Sequence, residues 1–281
     1  MKPTAAAFRL VLLFAARLAV AAPEQLTFTG GGSPTVSPDG QSIGYADNGG
    51  IMKIPTAGGT PVGLTANGYD PDWSPTGDLI AFTVDDDLDV VDAGTGTPTL
   101  VFDSQPLNGP AWSPDGDAIA CTGDDFLMFV AYPGGTYTVP PCIGECAGEG
   151  PDWSPDGTRL CYEDGLLIMT LPREGGSAET LVDCGDDVSG PAWSADGRFV
   201  AFSRQSADDS HIWVVDVATL DLYQVTTGSC SDDRPAWDPE GNWIYFESDR
   251  SGNREIWRTP FSVETAAEPM SWGEVKAMFG E

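Results

Sequence analysis

Carboxylates dominate the side chains of this sequence that could do chemistry. Among 281 residues there are 43 aspartates and glutamates, against 13 lysines and arginines, six cysteines and one histidine. Carboxylates act as general acids and bases, bind hard cations and attract basic groups. The chemistry to be considered is therefore the chemistry of carboxylates.

The sequence lacks the other common catalytic and cofactor-binding patterns. His211 stands next to Asp208, Asp209 and Ser210 at a predicted hairpin tip, which is typical of a turn residue. No G-x-S-x-G nucleophile elbow, phosphate-binding G-x-x-x-x-G-K-[ST] loop or C-x-x-C pair occurs. Zinc sites usually need several histidines or cysteines. We therefore predict no catalytic residues, zinc site or nucleotide site.

The net charge is extreme, at -30. Such a surface repels polyanions, so we exclude nucleic acid as a partner. Solubility is the simplest explanation of the charge, and affinity for cations or for a basic partner is the sharper one.

The N-terminus has the features of an export signal. Lys2 and Arg9 precede a short apolar run at 10–16, and Ala19-Val20-Ala21 offers a small-x-small cleavage site. We predict a signal peptide at 1–21, with Ala22 as the first mature residue and a periplasmic or secreted protein. No later segment is predicted to cross a membrane.

Six similar segments recur along the chain. Each carries a turn of the Ser-Pro-Asp-Gly kind, and five have a tryptophan just before it; the turn positions are 37 to 44 residues apart. The segments are SPTVSPDGQSIGYAD from Ser33, DPDWSPTGDLIAFTV from Asp70, GPAWSPDGDAIACTG from Gly109, GPDWSPDGTRLCYED from Gly150, GPAWSADGRFVAFSR from Gly190 and RPAWDPEGNWIYFES from Arg234.

The repeat length suits one four-stranded blade. A strand ending at the tryptophan, the tight turn, a second apolar strand and two more strands account for each unit. The sequence therefore predicts an all-β, six-bladed propeller of four-stranded antiparallel blades, with the repeat tryptophans buried between blades.

The stretch from Tyr245 to Trp257, YFESDRSGNREIW, resembles the F-x-S-D-R-x-G-x-x-[EQ]-I-[YW] hairpin of TolB-type propeller repeats, which are related to WD repeats. The resemblance extends over about residues 33–263 and implies fold rather than activity. TolB has a further α/β domain, and no function of that domain is carried over. We expect the propeller at 22–263 and a C-terminal strand or tail at 264–281.

Two segments compete to close the ring. Residues 24–28 (EQLTF) resemble the end of a fourth strand with no blade before it, and residues 264–271 are the alternative.

The cysteines divide into two groups by position. Cys121 and Cys161 fall in predicted second strands and are expected to be buried thiols, whereas Cys142, Cys146, Cys184 and Cys230 fall in loops. Disulfide pairing stays open.

Acidic residues recur in the loops just before the first strands. In propellers resembling this one, those loops gather at one mouth of the channel. We therefore expect a ring of side chains that binds a cation such as Ca²⁺ or a basic partner; its members are Asp70, Asp72, Asp152, Asp187, Asp232, Asp233 and Arg234. The alternative is that they are ordinary turn residues of an acidic protein.

These patterns favour a monomeric, non-enzymatic scaffold that binds a protein or peptide partner at the acidic mouth. Two other functions stay open. One is a carboxylate-dependent glycan hydrolase or lyase, and the other is a structural propeller of the cell envelope.

Overall fold

A computed structural model describes residues 22–263 of the chain, apart from residue 104 and residues 124–125 and 144–147. The predicted signal peptide and C-terminal tail lie outside the described residues. Within them the secondary structure is entirely β, and no helix is long and apolar enough to cross a bilayer.

Twenty-four strands form six antiparallel sheets of four, which are the blades of a six-bladed propeller. The first strands of the blades are β2 (Gly32–Val36), β6 (Tyr69–Trp73), β10 (Asn108–Trp112), β15 (Glu149–Trp153), β20 (Val188–Trp193) and β24 (Asp232–Trp237). The second strands are β3 (Ser42–Asp47), β7 (Leu79–Val84), β11 (Ala118–Gly123), β16 (Arg159–Asp164), β21 (Phe199–Ser206) and β25 (Trp243–Ser248).

The two outer positions of each blade complete the sheets. The third strands are β4 (Gly50–Pro55), β8 (Asp87–Asp92), β12 (Phe126–Ala131), β17 (Leu167–Pro172), β22 (Asp209–Asp216) and β26 (Glu255–Pro260). The outermost strands are β5 (Val62–Gly63), β9 (Pro98–Phe102), β13 (Tyr137–Thr138), β19 (Glu179–Asp183), β23 (Leu222–Gln224) and β1 (Glu24–Gln25). A further short pair, β14 (Cys142–Ile143) and β18 (Gly176–Ser177), runs parallel.

The recurring Ser-Pro-Asp-Gly turn joins the first and second strands by the same contacts in several blades. In blade four the Ser154 hydroxyl donates to Asp156 Oδ1 at 2.7 Å and accepts from the Arg159 amide at 3.0 Å. The glycine at the end of the turn, Gly157, has φ +68°. Glycine adopts this left-handed conformation at no steric cost, which explains its place in the repeat.

The hydrophobic core lies between blades. One cluster joins Leu88 and Val90 of blade two to Trp112 and Ile119 of blade three, and five further clusters span the other blade boundaries. Four repeat tryptophans are buried, as predicted, whereas Trp193 is only half-buried.

The N-terminal segment completes the last blade. Strand β1 pairs antiparallel with β26, with Glu24 opposite Arg258, and Leu26 packs in the core with Tyr245 and Ile256. The first of the two closing arrangements expected from the sequence is therefore present. The competing residues 264–271 lie outside the described part of the chain.

The described cysteines occur as free thiols. Cys121 and Cys161 are buried in second strands, as predicted, and Cys230 is also buried, whereas Cys184 is half-buried. Burial raises the pKa of the Cys184 thiol to about 11. The side chains of Cys142 and Cys146 lie outside the described residues.

Candidate functional site

The central channel encloses a cavity. Its volume is about 890 Å³, and all six first strands contribute to its wall. A second groove, of about 470 Å³, opens at the channel mouth beside blade two, between Tyr69, Asp85 and Asp86.

Every first strand carries a bulge where it faces the channel. The residue before the strand's proline adopts a positive φ of 49° to 57° in all six blades, and the strand register shifts at the same place. These six residues are Ser33, Asp70, Gly109, Gly150, Gly190 and Arg234. Neighbours along this ring are close, because a Cβ on Gly190 would lie 3.4 Å from the Cα of Arg234. Half of the ring is therefore glycine, and the other half bears polar side chains.

The polar half of the ring forms one hydrogen-bonded cluster. Arg234 forms an ion pair with Asp70 and donates to the Ser33 hydroxyl, which in turn donates to Asp70 at 2.9 Å. Ser33 and Arg234, which are 201 positions apart in sequence, are thus joined across the mouth. The charge of Asp70 is compensated within the protein.

Asp72 and Asp152 lie deeper in the channel and have no cationic partner among the described residues. Asp72 Oδ2 accepts the Trp112 amide of the next blade at 2.7 Å, and Asp152 Oδ2 accepts the Trp193 amide at 2.6 Å. Both side chains border the cavity and are half-buried there. This burial raises the pKa of Asp72 to about 6 and that of Asp152 to about 7, outweighing the hydrogen bonds that favour the charged form.

Glu163 is a third carboxyl group of the channel that forms no ion pair with the described residues, although the charge of Arg234 offsets part of its raised pKa. Its Oε2 accepts the Gly190 amide of the next blade at 2.6 Å. Burial, aided by the charge of Glu149, raises the pKa of Glu163 to about 7. The sequence-based site did not include Glu163, because only the loops before first strands were considered. Glu163 pairs with Glu149 in the register of β15 and β16. This pairing could have been expected from the repeat, and it places Glu163 next to the loop residues.

Two of the expected residues lie away from the channel. Asp187 is exposed, and the channel wall does not include its side chain. Asp232 is fully buried inside blade six, where both of its carboxylate oxygens accept from Arg250 at 2.6 Å. The expected convergence of these two residues with Asp72 and Asp152 was therefore wrong. Asp187 lies just before the first strand of blade five, and Asp232 begins the first strand of blade six. Neither side chain is part of the channel wall.

Asp233 does reach the channel wall, and it is compensated. Arg254 pairs with Asp233 at 3.1 Å and with Glu247, and the Ser210 hydroxyl donates to Asp233 at 2.6 Å. Eight carboxylates and two arginines therefore line the channel; the carboxylates are Asp70, Asp72, Glu149, Asp152, Glu163, Asp233, Asp238 and Glu247.

In the described part of the chain, no three histidine, cysteine or carboxylate side chains are arranged to hold a metal ion. The channel carboxylates therefore line a wide wall rather than a compact coordination sphere. A ligand in the channel would therefore meet a negative electrostatic potential, with only two arginines in the wall.

Comparison with known proteins agrees with this architecture. Residues 147–278 match the family model of the TolB β-propeller domain, nearly half of the chain. An uncharacterized protein of Agrobacterium fabrum is 33% identical over 66 residues, which are 24% of this chain and 22% of that protein. The match thus spans under a quarter of this relative's length.

Two solved structures show the same fold over most of the ring. A TolB-type protein from Agrobacterium tumefaciens superposes with a TM-score of 0.68 and 22% identity, over 84% of this chain and 92% of that one. An oligogalacturonate lyase in complex with manganese gives a TM-score of 0.58 and 16% identity, over 85% and 92%. At these identities the likeness concerns fold alone. Together with the family match over residues 147–278 and the six repeated blades, it shows that the chain is similar in fold to TolB-type β-propellers.

Proposed function

We propose that the protein is a non-enzymatic scaffold outside the cytoplasm, and that its channel mouth binds a basic protein or peptide partner. The observation that carries this proposal is the set of three channel carboxyl groups, Asp72, Asp152 and Glu163, that accept backbone amides but form no ion pair with the described lysines and arginines. A lysine, arginine or amino terminus entering the channel would supply the missing charge.

The protein's own cations are engaged elsewhere. Each of the nine lysines and arginines between residues 22 and 263 makes an ion pair or hydrogen bond within the chain. Internal rearrangement is therefore an expensive way to neutralise the channel, and an external cation is the simpler source of positive charge.

The channel mouth has two different sides, because three of the six bulge residues are polar and three are glycines. Backbone of a partner can approach closely where Gly109, Gly150 and Gly190 carry no side chain. The opposite side offers Arg234 and Asp70 as hydrogen-bonding groups. A peptide with a basic side chain pointing down the channel fits this asymmetry.

We also propose that the protein is located outside the cytoplasm. The N-terminal pattern favours export, and the TolB-like fold is consistent with a protein of the cell envelope. We expect the monomer to be the binding unit, because all six blades of the ring belong to one chain.

Binding of a labelled tetra-arginine peptide tests this function. The double variant Asp72→Asn/Asp152→Asn should weaken binding about tenfold or more, since buried charge contacts carry more energy than exposed ones. The control Asp187→Asn/Asp208→Asn removes the same charge from exposed positions and should change affinity less than about twofold at physiological salt. Equal losses in both variants would show that the attraction is diffuse and would refute a channel site. If the wild-type protein does not bind at all, a purely structural propeller of the envelope becomes the better description.

A carboxylate-dependent glycan hydrolase or lyase is the second candidate. It draws support from Asp152 and Glu163, since a carboxyl group with a pKa of about 7 suits general acid catalysis near neutral pH. Incubation with polygalacturonate, followed by absorbance of unsaturated products and by reducing-end release, would detect either reaction. Turnover that is lost in Glu163→Gln would favour the enzyme over the scaffold.

A further inference from the structure

One position at the channel mouth is filled by an arginine of the chain itself. Arg234 is the third residue of β24 in blade six, and its side chain extends past blade one to reach Asp70 of blade two. Its Nη1 contacts both the Asp70 carboxylate and the Ser33 hydroxyl. The Arg234 side chain is 50% exposed, so this guanidinium can be exchanged for another without the opening of a blade.

Ser33 and Asp70 present acceptors that suit a guanidinium group. The Ser33 hydroxyl donates its proton to Asp70 Oδ1 at 2.9 Å, and it therefore offers only lone pairs to a further group. A guanidinium carries five donors in a planar fork and can serve the hydroxyl and the carboxylate together, whereas an ammonium is a compact point charge. This arrangement favours arginine over lysine.

The occupied position lies where two cavities meet. The channel and the groove beside blade two share four lining residues, Asp70, Asn108, Arg234 and Glu247. The bulges of neighbouring blades are close together here, because a Cβ on Gly190 would lie 3.4 Å from the Arg234 Cα. A side chain that extends from blade six to blade two therefore crosses a narrow opening. A ligand that moves from the groove into the channel must pass the Arg234 side chain.

We propose that Ser33 and Asp70 form a guanidinium-binding subsite, which Arg234 fills in the free protein and an arginine of the partner fills in the complex. The proposal rests on the function proposed above, in which a basic protein or peptide binds at the channel mouth. Arg234 is then an internal competitor of the partner. The apparent affinity for the partner is reduced according to the fraction of molecules in which Arg234 occupies the subsite.

The ring of bulges indicates which variant empties the subsite. Glycine stands at three equivalent positions, Gly109, Gly150 and Gly190, and Arg234 adopts the same left-handed conformation, with φ +55°. Arg234→Gly should therefore fold, because glycine takes up this conformation at no steric cost. The variant removes the internal guanidinium and leaves both acceptors in place.

Small cations test the subsite in the absence of a partner. Millimolar ethylguanidinium should raise the Tm of Arg234→Gly by about 1–3 °C more than sodium chloride of equal concentration does, because a ligand of the folded state stabilises it by mass action. Ethylammonium should give less than about half of this shift. The wild-type protein, whose subsite is filled, and Arg234→Gly/Asp70→Asn should show no such shift. Equal shifts in the wild type and Arg234→Gly, or with the two cations, would overturn the proposal.

Peptide binding tests the exchange of Arg234 for an arginine of the partner. If Arg234 fills the subsite in about nine molecules of ten, Arg234→Gly should bind tetra-arginine about tenfold more tightly than the wild type does. Tetra-lysine carries the same charge and should gain less than about twofold at physiological salt.

Two peptide results would overturn the exchange. Equal gains for both peptides would show that only the charge of the mouth has changed, and an unchanged affinity for tetra-arginine would show that Arg234 does not compete. Failure of the proposed function looks different. In that case neither protein binds tetra-arginine, while ethylguanidinium still stabilises Arg234→Gly; the subsite would then stand without a partner.

Discussion

The residue two positions after the bulge of a first strand determines which hydrogen bond that blade forms with the tryptophan of the next blade. Where this residue is Thr35, Asp72 or Asp152, its side chain accepts the backbone amide of the next blade's tryptophan. Where it is Ala111 or Ala192, its carbonyl accepts the tryptophan indole N–H instead, at 3.1 and 3.0 Å. Among the repeat tryptophans, the indole nitrogens of Trp73, Trp112 and Trp193 have no partner among the described residues. In each case the preceding blade carries Thr35, Asp72 or Asp152 at this position. With a short polar side chain at this position, the hydrogen bond to the next blade comes from the tryptophan's backbone amide. With alanine there, it comes from the tryptophan's indole N–H.

This alternation predicts unequal costs for two similar substitutions. Trp153→Phe removes an indole that donates to the Ala111 carbonyl, whereas Trp112→Phe removes an indole without a partner. Both lose similar apolar area, so Trp153→Phe should lower the free energy of unfolding by about 1 kcal/mol more than Trp112→Phe. Urea denaturation of the two variants measures this difference. A smaller cost for Trp153→Phe would contradict the assignment of the hydrogen bonds.

The raised pKa values of Asp72, Asp152 and Glu163 predict a stability that increases on mild acidification. Unfolded carboxyl groups titrate near pH 4, so between about pH 4 and pH 7 the native state binds more protons than the unfolded state. The free energy of unfolding must then decrease as the pH rises through this window. Asp152→Asn keeps an oxygen for the Trp193 amide and removes the charge. It should raise Tm by a few degrees at pH 7.5, roughly the effect of 1 kcal/mol, and change Tm little at pH 4.5.

The opposite shift occurs in the recurring turns. Hydrogen bonds from Ser37, Ser113 and Ser154 hold the pKa of Asp39, Asp115 and Asp156 below the usual range. Their stabilising effect is lost as the pH falls through those lowered values. Thermal unfolding from pH 2.5 to pH 8 should therefore show a maximum of stability near about pH 5. A Tm that rises steadily from pH 5 to pH 8 would contradict the account of the channel carboxyl groups.

The elements of the fold follow the repeat closely, and the candidate site follows it less well. Proline and glycine spacing predicts each turn, and the tryptophan positions predict the packing between blades. The bulge at every first strand could not be read from the sequence, because Ser33, Asp70 and Arg234 occupy a left-handed conformation that favours glycine. Asp72 lies two residues after the bulge of its strand, in the channel wall, whereas Asp232 lies two residues before the bulge of its strand, inside a blade.

Removal of the ion pair between Asp232 and Arg250 in blade six should destabilise the protein strongly. The Asp232 carboxylate is fully buried and accepts two hydrogen bonds from Arg250. Arg250→Met removes the cation that this charge accepts from and leaves it only the Cys230 thiol and His211, whose Nδ1 is 3.8 Å away; it should lower the free energy of unfolding by about 3–5 kcal/mol. The control is Arg159→Met, whose partner Glu179 is exposed and whose loss should cost less than about 1 kcal/mol. Similar urea midpoints for the two variants would contradict the role given to Asp232.

The closing strand predicts a difference between two neighbouring residues. Leu26 is 8% exposed and packs in the core of blades six and one, whereas Phe28 is 74% exposed. Leu26→Ala should destabilise the protein by about 2–4 kcal/mol because it leaves a cavity at the seam. Phe28→Ala should change stability by less than about 0.5 kcal/mol. A larger effect at Phe28 would show that the N-terminal segment closes the ring by other contacts.

On the scale of the whole molecule, the few positive charges are unevenly distributed. Eight of the nine described lysines and arginines lie between residues 159 and 258, and Lys53 is the one cation of the first three blades among the described residues. Blades one to three therefore carry a large excess of negative charge, although Arg173 and Arg234 of other blades pair with three of their carboxylates. A basic partner would be steered towards this side of the ring, and its on-rate should fall steeply as salt is added.

Proton release on binding tests the central claim, that the channel carboxyl groups receive a cationic group. A cation next to Asp152 and Glu163 lowers their pKa, so at pH 6.5 binding of the tetra-arginine peptide should release protons. Calorimetry at pH 6.5 in two buffers of different ionisation enthalpy measures the number released. We predict a release by the wild-type protein that is largely absent in Asp152→Asn/Glu163→Gln and kept in Asp187→Asn. Binding without proton release, or with the same release in all three proteins, would contradict the claim.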